Sequence, residues 1–151
     1  MTSSSALAGG HIGLNVTDLG RSLPFYADTL GFEVIGEGKE DGRRFAFLGR
    51  DGTLVLTLWQ QAESGFEATR AGLHHLAFEA ASIDEVRAAE VRLKDLGVGF
   101  AHDGVVAHRE GAASGGIFFH DPDGIRLEIY APSGAEGAPA PSAAAPTCGF
   151  F

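Results

Sequence analysis

Two histidines and one glutamate, His11, His75 and Glu128, stand in short alternating apolar and polar segments of the chain. Two imidazoles and one carboxylate form a facial set suited to a divalent metal with positions left open for a substrate. A buried glutamate is costly unless it is paired or bound to metal. The chemistry therefore requires these side chains to look into one cavity. His74 precedes His75 directly. Adjacent strand residues point to opposite faces, so only one of the two can face that cavity.

The elements that must position these residues come from a weak internal repeat. HIGLNV opens the first half, and His75 follows His11 by 64 residues in the matching segment HHLAFEA. After HIGLNV comes DLGRSLPFYADTLGF, with Asp18 as N-cap. Leu19, Leu23, Tyr26 and Leu30 form its helical apolar stripe, Pro24 falls early, and Gly31 is placed to end it. Strands are expected near 33–38, 44–48 and 53–59, with a turn at Asp51-Gly52. In the second half, Ser82 and Glu85 form a capping-box pair opening a helix over 82–96, which Gly97 closes. Strands are expected near 99–102, 115–119 and 125–130. Each half thus reads β-α-β-β-β, and the chain reads as α+β, with two modules curling around a shared cavity.

Strand alternation assigns the faces. His11, Gly13 and Asn15 face the cavity in the first segment, and His75, Ala77 and Glu79 in its counterpart, which leaves His74 as a rim or packing residue. In IRLEIY the inward residues are Arg126, Glu128 and Tyr130. Matching Gly52 to Gly124 pairs Glu128 with Leu56 and turns Leu54, Leu56 and Leu58 inward. Those leucines are most simply core; if the cavity is open, they line half of it and favour an apolar or aromatic ligand. His102, His108 and His120 are expected in loops or at strand ends, solvated. The loop bearing His108 should overhang the cavity, which makes His108 the candidate acid/base.

Composition bounds the partners. The formal net charge of −9 and the absence of a basic cluster argue against nucleic acid and anionic membranes. No apolar run reaches membrane-span length, and MTSSSALAGG lacks the features of a signal peptide. The single cysteine, Cys148, allows no intrachain disulfide and fits a cytoplasmic protein. Residues 1–8 read as a flexible N-terminus and 9–131 as the folded domain, with module one at 9–62 and module two at 72–131. Residues 132–151, holding four of the six prolines, read as an Ala/Pro-rich tail, disordered or loosely docked.

The stretches HIGLNVTDLGRSLPFYADTLGF, HHLAF and DPDGIRLEIY, in this order, resemble the vicinal oxygen chelate superfamily. That group includes glyoxalase I, fosfomycin-resistance proteins, methylmalonyl-CoA epimerase, bleomycin-binding proteins and extradiol dioxygenases. The resemblance implies paired βαβββ modules in a curved eight-stranded mixed sheet around a metal-binding cavity. It places the ligands at His11, His75 and Glu128. The fourth ligand of glyoxalase I falls at Leu56, so the three-ligand pattern is closer to extradiol dioxygenases and fosfomycin-resistance transferases. The loop GAASGGIFF lacks the basic and hydroxyl groups that bind a phosphonate. Phe118 stands where the dioxygenases usually carry tyrosine, and the pair His108-Arg109 replaces their upstream histidine.

The resemblance implies a divalent-metal-dependent enzyme of dioxygenase type acting on a small apolar or aromatic substrate with adjacent oxygens. Fe(II) is the favoured ion, with Mn(II), Ni(II) or Zn(II) as other choices. Asn15, Leu54, Leu56, Leu58, Phe118, Arg126 and Tyr130 are the expected pocket residues. The alternatives are a glyoxalase-type lyase or isomerase and a metal-free small-molecule binding or resistance protein. A homodimer is the expected assembly.

Overall fold

A computed structural model describes residues 5–151 and divides into two units, one ending at Glu63 and the other spanning Ser64–Phe151. Of the expected flexible N-terminus, residues 1–4 lie outside the described residues, and 5–8 are exposed. Among the described residues, eight strands form two four-stranded mixed sheets, one per unit.

In the first unit the strands are β1 (Ile12–Val16), β2 (Glu33–Glu40), β3 (Arg43–Arg50) and β4 (Thr53–Gln60), in the order β1-β4-β3-β2. β1 runs parallel to β4, and the other pairs are antiparallel. The two-residue turn Asp51-Gly52 has positive φ at both positions (51° and 77°), the twist that suits a tight hairpin. Helix α1 (Leu19–Pro24) is capped by Asp18, whose carboxylate accepts from Gly20 N at 2.9 Å. Pro24 has no N–H to give to the ladder, and the chain continues as a π-helical turn over Phe25–Thr29. The core of this unit gathers Leu14, Val16, Leu19, Tyr26, Ala46, Leu48, Leu56 and Leu58, all buried. Each such leucine side chain contributes about 1.5–3 kcal/mol by leaving water.

The second unit repeats the pattern with β5 (Leu76–Glu79), β6 (Val106–Ala107), β7 (Gly115–His120) and β8 (Arg126–Ala131), in the order β5-β8-β7-β6. Helix α2 (Ile83–Asp95) starts at Ser82, whose hydroxyl accepts from Glu85 N at 3.3 Å, and Glu85 reaches back to Ala81 N at 3.0 Å. Val86, Ala89 and Leu93 form its buried stripe. The β7–β8 turn is organised by Asp121, whose Oδ1 accepts from both Asp123 N and Ile125 N at 2.8 Å.

Two expectations are corrected here. The strand expected at 99–102 is reduced to one bridge between Phe100 and Phe119, because the chain turns at Gly104 (φ 67°) before the true edge strand begins at Val106. The tail is not loose. Ala107 N donates to Pro139 O at 2.9 Å, and the fully buried Thr147 donates through its N–H to His108 O at 2.9 Å and through its hydroxyl to Ala107 O at 2.5 Å. The tail satisfies polar groups along the outer edge of β6, which would otherwise be an open sheet edge.

Candidate metal and substrate site

Register decides which side chains share a face. In the second unit Ala77 lies opposite Glu128, and Glu79 opposite Tyr130. Across β7 and β8, Phe118 pairs with Glu128 and His120 with Arg126. Leu76, Leu127, Ile117 and Phe119 occupy the other face, all buried. The face opposite that core therefore presents Glu128, Arg126, Tyr130, Phe118 and His120, and His75 lies two residues before Ala77 on the same side.

Glu128 is the centre of this face. It is 3% exposed, an expensive setting for a carboxylate without partners. His75 Nε2 lies 3.7 Å from Glu128 Oε1, and His108 Nε2 lies 2.5 Å from Glu128 Oε2. The other nitrogen of His108 is 2.9 Å from Ser114 Oγ, which fixes the ring between two partners. His108 was expected to overhang the cavity from its loop. It sits closer than that, because β6 ends one residue earlier and aims the histidine along the sheet face.

His74 and His75 take different surroundings. His75 faces Glu128, while the two Nδ1 atoms meet at 2.8 Å, so one imidazole donates and the other accepts. His74 thereby orients the ring of His75. Burial holds the His75 imidazole below the usual histidine pKa. Glu128 opposes that shift, and His74 and Arg126 add to it. The neutral imidazole this favours is the form that binds metal.

The aromatic and polar surroundings follow. Tyr130 donates its hydroxyl to Glu79 Oε1 at 3.1 Å and places its ring 5.2 Å from that of His108. The guanidinium of Arg126 lies over the rings of Phe66 (6.0 Å) and Phe151 (5.6 Å). His102, expected to be solvated, instead buries Nε2 without a hydrogen-bond partner and sets its ring edge-on to Phe118 at 5.5 Å.

The first unit corrects the leucine assignment. Leu56 and Leu58 lie opposite Ile12 and Leu14, on the helix-side core face, and are fully buried. Gly13 pairs with Thr57 and Asn15 with Trp59, so the opposite face carries Thr57 and Trp59. The cause is a β-bulge. Leu48 pairs with Leu56 but Gly49 with Leu54, which leaves Val55 as an extra residue. One added residue reverses the face of everything after it. Leu54 precedes the bulge and keeps the side of Gly49. Thr57, not Leu56, is thus the register equivalent of Glu128, and its hydroxyl accepts from Trp59 Nε1 at 2.9 Å. Trp59 packs with Phe45 and Phe47 at centroid distances of 5.4 and 5.9 Å, making this face aromatic rather than aliphatic. Asn15 uses its side-chain oxygen to accept from Gln61 N at 3.0 Å. The aromatic residues Phe45, Phe47 and Trp59 were missed. A tryptophan as the penultimate residue of a strand was the available signal, but only the bulge reveals its face.

The donor types fit a divalent ion. An imidazole whose burial favours its neutral form and a buried carboxylate face each other on one sheet, and the side chains within 4 Å of the carboxylate oxygens in ion-pair geometry are the imidazoles of His75 and His108. Among the described residues, no set of three or more His, Cys, Asp or Glu side chains forms a ready ligand cluster. His11, the remaining expected donor, belongs to the first unit, where it directly precedes β1 and is exposed.

Comparison with known proteins places these features in context. Residues 9–129 match the family model described as Glyoxalase/Bleomycin resistance protein/Dioxygenase superfamily. The chain is 32% identical over 125 residues to a catechol-2,3-dioxygenase of Bacillus subtilis, covering 81% of this chain and 40% of that protein's length. It is 33% identical over 128 residues to the uncharacterized protein YwkD of the same organism, covering 80% of this chain and 93% of the relative. Among solved structures, a glyoxylase/bleomycin resistance protein/dioxygenase domain from Frankia superposes with a TM-score of 0.73 at 28% identity, covering 84% of this chain and 98% of that one.

Proposed function

The chain belongs to the glyoxalase/bleomycin resistance protein/dioxygenase superfamily, and from that premise we propose that it is a divalent-metal-dependent enzyme of dioxygenase type. Its substrate is a small aromatic or apolar molecule with adjacent oxygens. The observation that carries this reading is the buried carboxylate of Glu128, flanked by His75 and His108 on a face lined by Phe118 and Tyr130. The likeness to a catechol-2,3-dioxygenase supports the dioxygenase choice within the family.

In this reading His75 and Glu128 hold the ion, with His11 as the third donor, supplied within the chain or across a homodimer. Fe(II) is the favoured ion, with Mn(II), Ni(II) or Zn(II) as alternatives. When bound, the ion supplies Lewis-acid stabilisation of developing oxyanion charge and, as Fe(II), the redox capacity for chemistry with O₂. The residues of the chain do the rest. His74 orients the His75 ring through the hydrogen bond between their Nδ1 atoms. Ser114 orients His108, which holds or releases a proton at Nε2 beside Glu128. Phe118, the buried cross-strand partner of Glu128, keeps the sheet face beside the carboxylate apolar, and Tyr130 is held in its neutral form by donating to Glu79.

Thr57 at the register equivalent of Glu128 offers a hydroxyl and no carboxylate, which favours three protein donors over the four of a glyoxalase-type lyase. The test is oxygen consumption by Fe(II)-loaded protein against a panel of catechols. Uptake dependent on both metal and catechol supports the reading, and no uptake across the panel overturns the dioxygenase assignment.

A further inference from the structure

The tail does more than cover an edge. After the anchor at Thr147, the segment Cys148–Phe151 forms an arm that brings the ring of Phe151 onto the candidate site of the second unit. The ring lies 5.4 Å from Phe118, edge-on, and 5.6 Å from His75, tilted by 34°. It lies 6.0 Å from His120, with the Arg126 guanidinium 5.6 Å from its centroid. Phe150 beside it is 53% exposed. With the His74 ring at 6.5 Å, the neighbours of Phe151 are one phenyl, three imidazoles and a cation, from β7, β8 and the two residues just before β5, a surround suited to a small planar aromatic ring.

We propose that Phe151 is an intramolecular occupant of an aryl-binding slot, and that a small aryl ligand enters by displacing the Cys148–Phe151 arm. This rests on reading that face as the ligand site. The arm pivots at a fixed point. Thr147 is fully buried and doubly hydrogen-bonded to the β6 end, so release of Cys148–Phe151 leaves the residues before it in place. Tethering keeps the ring at high local concentration, so a weak contact suffices to compete with a free ligand.

The test uses metal-free protein and 4-fluorophenol as probe, with binding read by fluorine NMR and by the imidazole resonances of His75 and His120. Removing a competing occupant worth one aromatic contact tightens apparent binding by about fivefold, so Phe151→Ala should bind the probe that much more strongly. Phe150→Ala should bind as the wild type does. In the wild type, saturating probe should abolish the ring-current shifts that Phe151 imposes on His75 and His120. Unchanged or weaker binding by Phe151→Ala makes the ring a wall of the slot rather than its occupant and overturns the proposal. Failure of either form to bind the probe overturns it as well. Competition without any metal binding by the protein would sustain the occupant and remove the metal-dependent function.

Discussion

Thr57 and Glu128 hold the same register position in the two sheets, each opposite the second residue after the repeat histidine's place on the parallel neighbour strand. One is a hydroxyl tied to Trp59, the other a buried carboxylate between two histidines. The pseudo-symmetric halves have therefore diverged in chemistry at a shared backbone position. The second unit carries the charged donor, and the first carries an aromatic wall of Phe45, Phe47 and Trp59.

That relation predicts opposite outcomes at neighbouring positions. Leu56→Ala removes a fully buried side chain from the helix-side core and should cost about 2–5 kcal/mol in urea unfolding. Thr57→Val removes only the acceptor of the Trp59 bond and should cost about 0.5–1.5 kcal/mol. A smaller loss for Leu56→Ala than for Thr57→Val would place the bulge elsewhere.

The histidine pair should separate by function. His75→Ala should abolish metal binding. His74→Ala removes a partner that orients the ligand and should weaken metal binding by about 10- to 100-fold without eliminating it. Isothermal titration of both variants with Mn(II) checks the order. Equal loss in the two would mean that His74 is itself a ligand.

His108 should matter to turnover more than to metal affinity. Replacing it with alanine removes the proton-holding group beside Glu128 and should lower kcat by about 10²–10⁴-fold, with metal content preserved. Ser114→Ala, which frees only the far nitrogen, should have a smaller effect in the same direction. Wild-type turnover by the alanine variant at position 108 would remove His108 from the chemistry.

The phenol of Tyr130 offers a pH test. Its bond to Glu79, together with burial and the charges of Glu79 and Glu128, raises its pKa above the ordinary tyrosine value of 10.0. The folded state thus favours the neutral phenol. Its contribution to stability is complete below the unfolded-state pKa and is lost as pH rises through the folded-state value. Ultraviolet titration, assigned by Tyr130→Phe, should show late ionisation that Glu79→Ala brings down toward the ordinary value. Ionisation of Tyr130 at or below that value in the wild type would show that the hydroxyl is not bonded to Glu79.

Much of the site was legible because strand alternation is strict where the chain is regular. HHLAFEA and IRLEIY carry no bulge, so period two placed His75, Arg126, Glu128 and Tyr130 on one face and left His74 off it. TLVLTLWQ carries one extra residue at Val55, and nothing in its composition marks it, so Leu56 and Leu58 read inward when they are core. His108 reached Glu128 through the short β6, whose two residues are too few to leave a periodic signal. The tail looked structureless because proline and alanine suggest no core, yet its order comes from backbone groups meeting the β6 edge, a pairing that side-chain pattern does not encode.

The most direct test of the central claim is anaerobic titration of metal-free protein with Fe(II), read as bound metal per chain, in the wild type and in Glu128→Ala. The account predicts about one equivalent per chain in the wild type and none in the variant. Binding below about a tenth of an equivalent in the wild type, or equal binding in both, would contradict it.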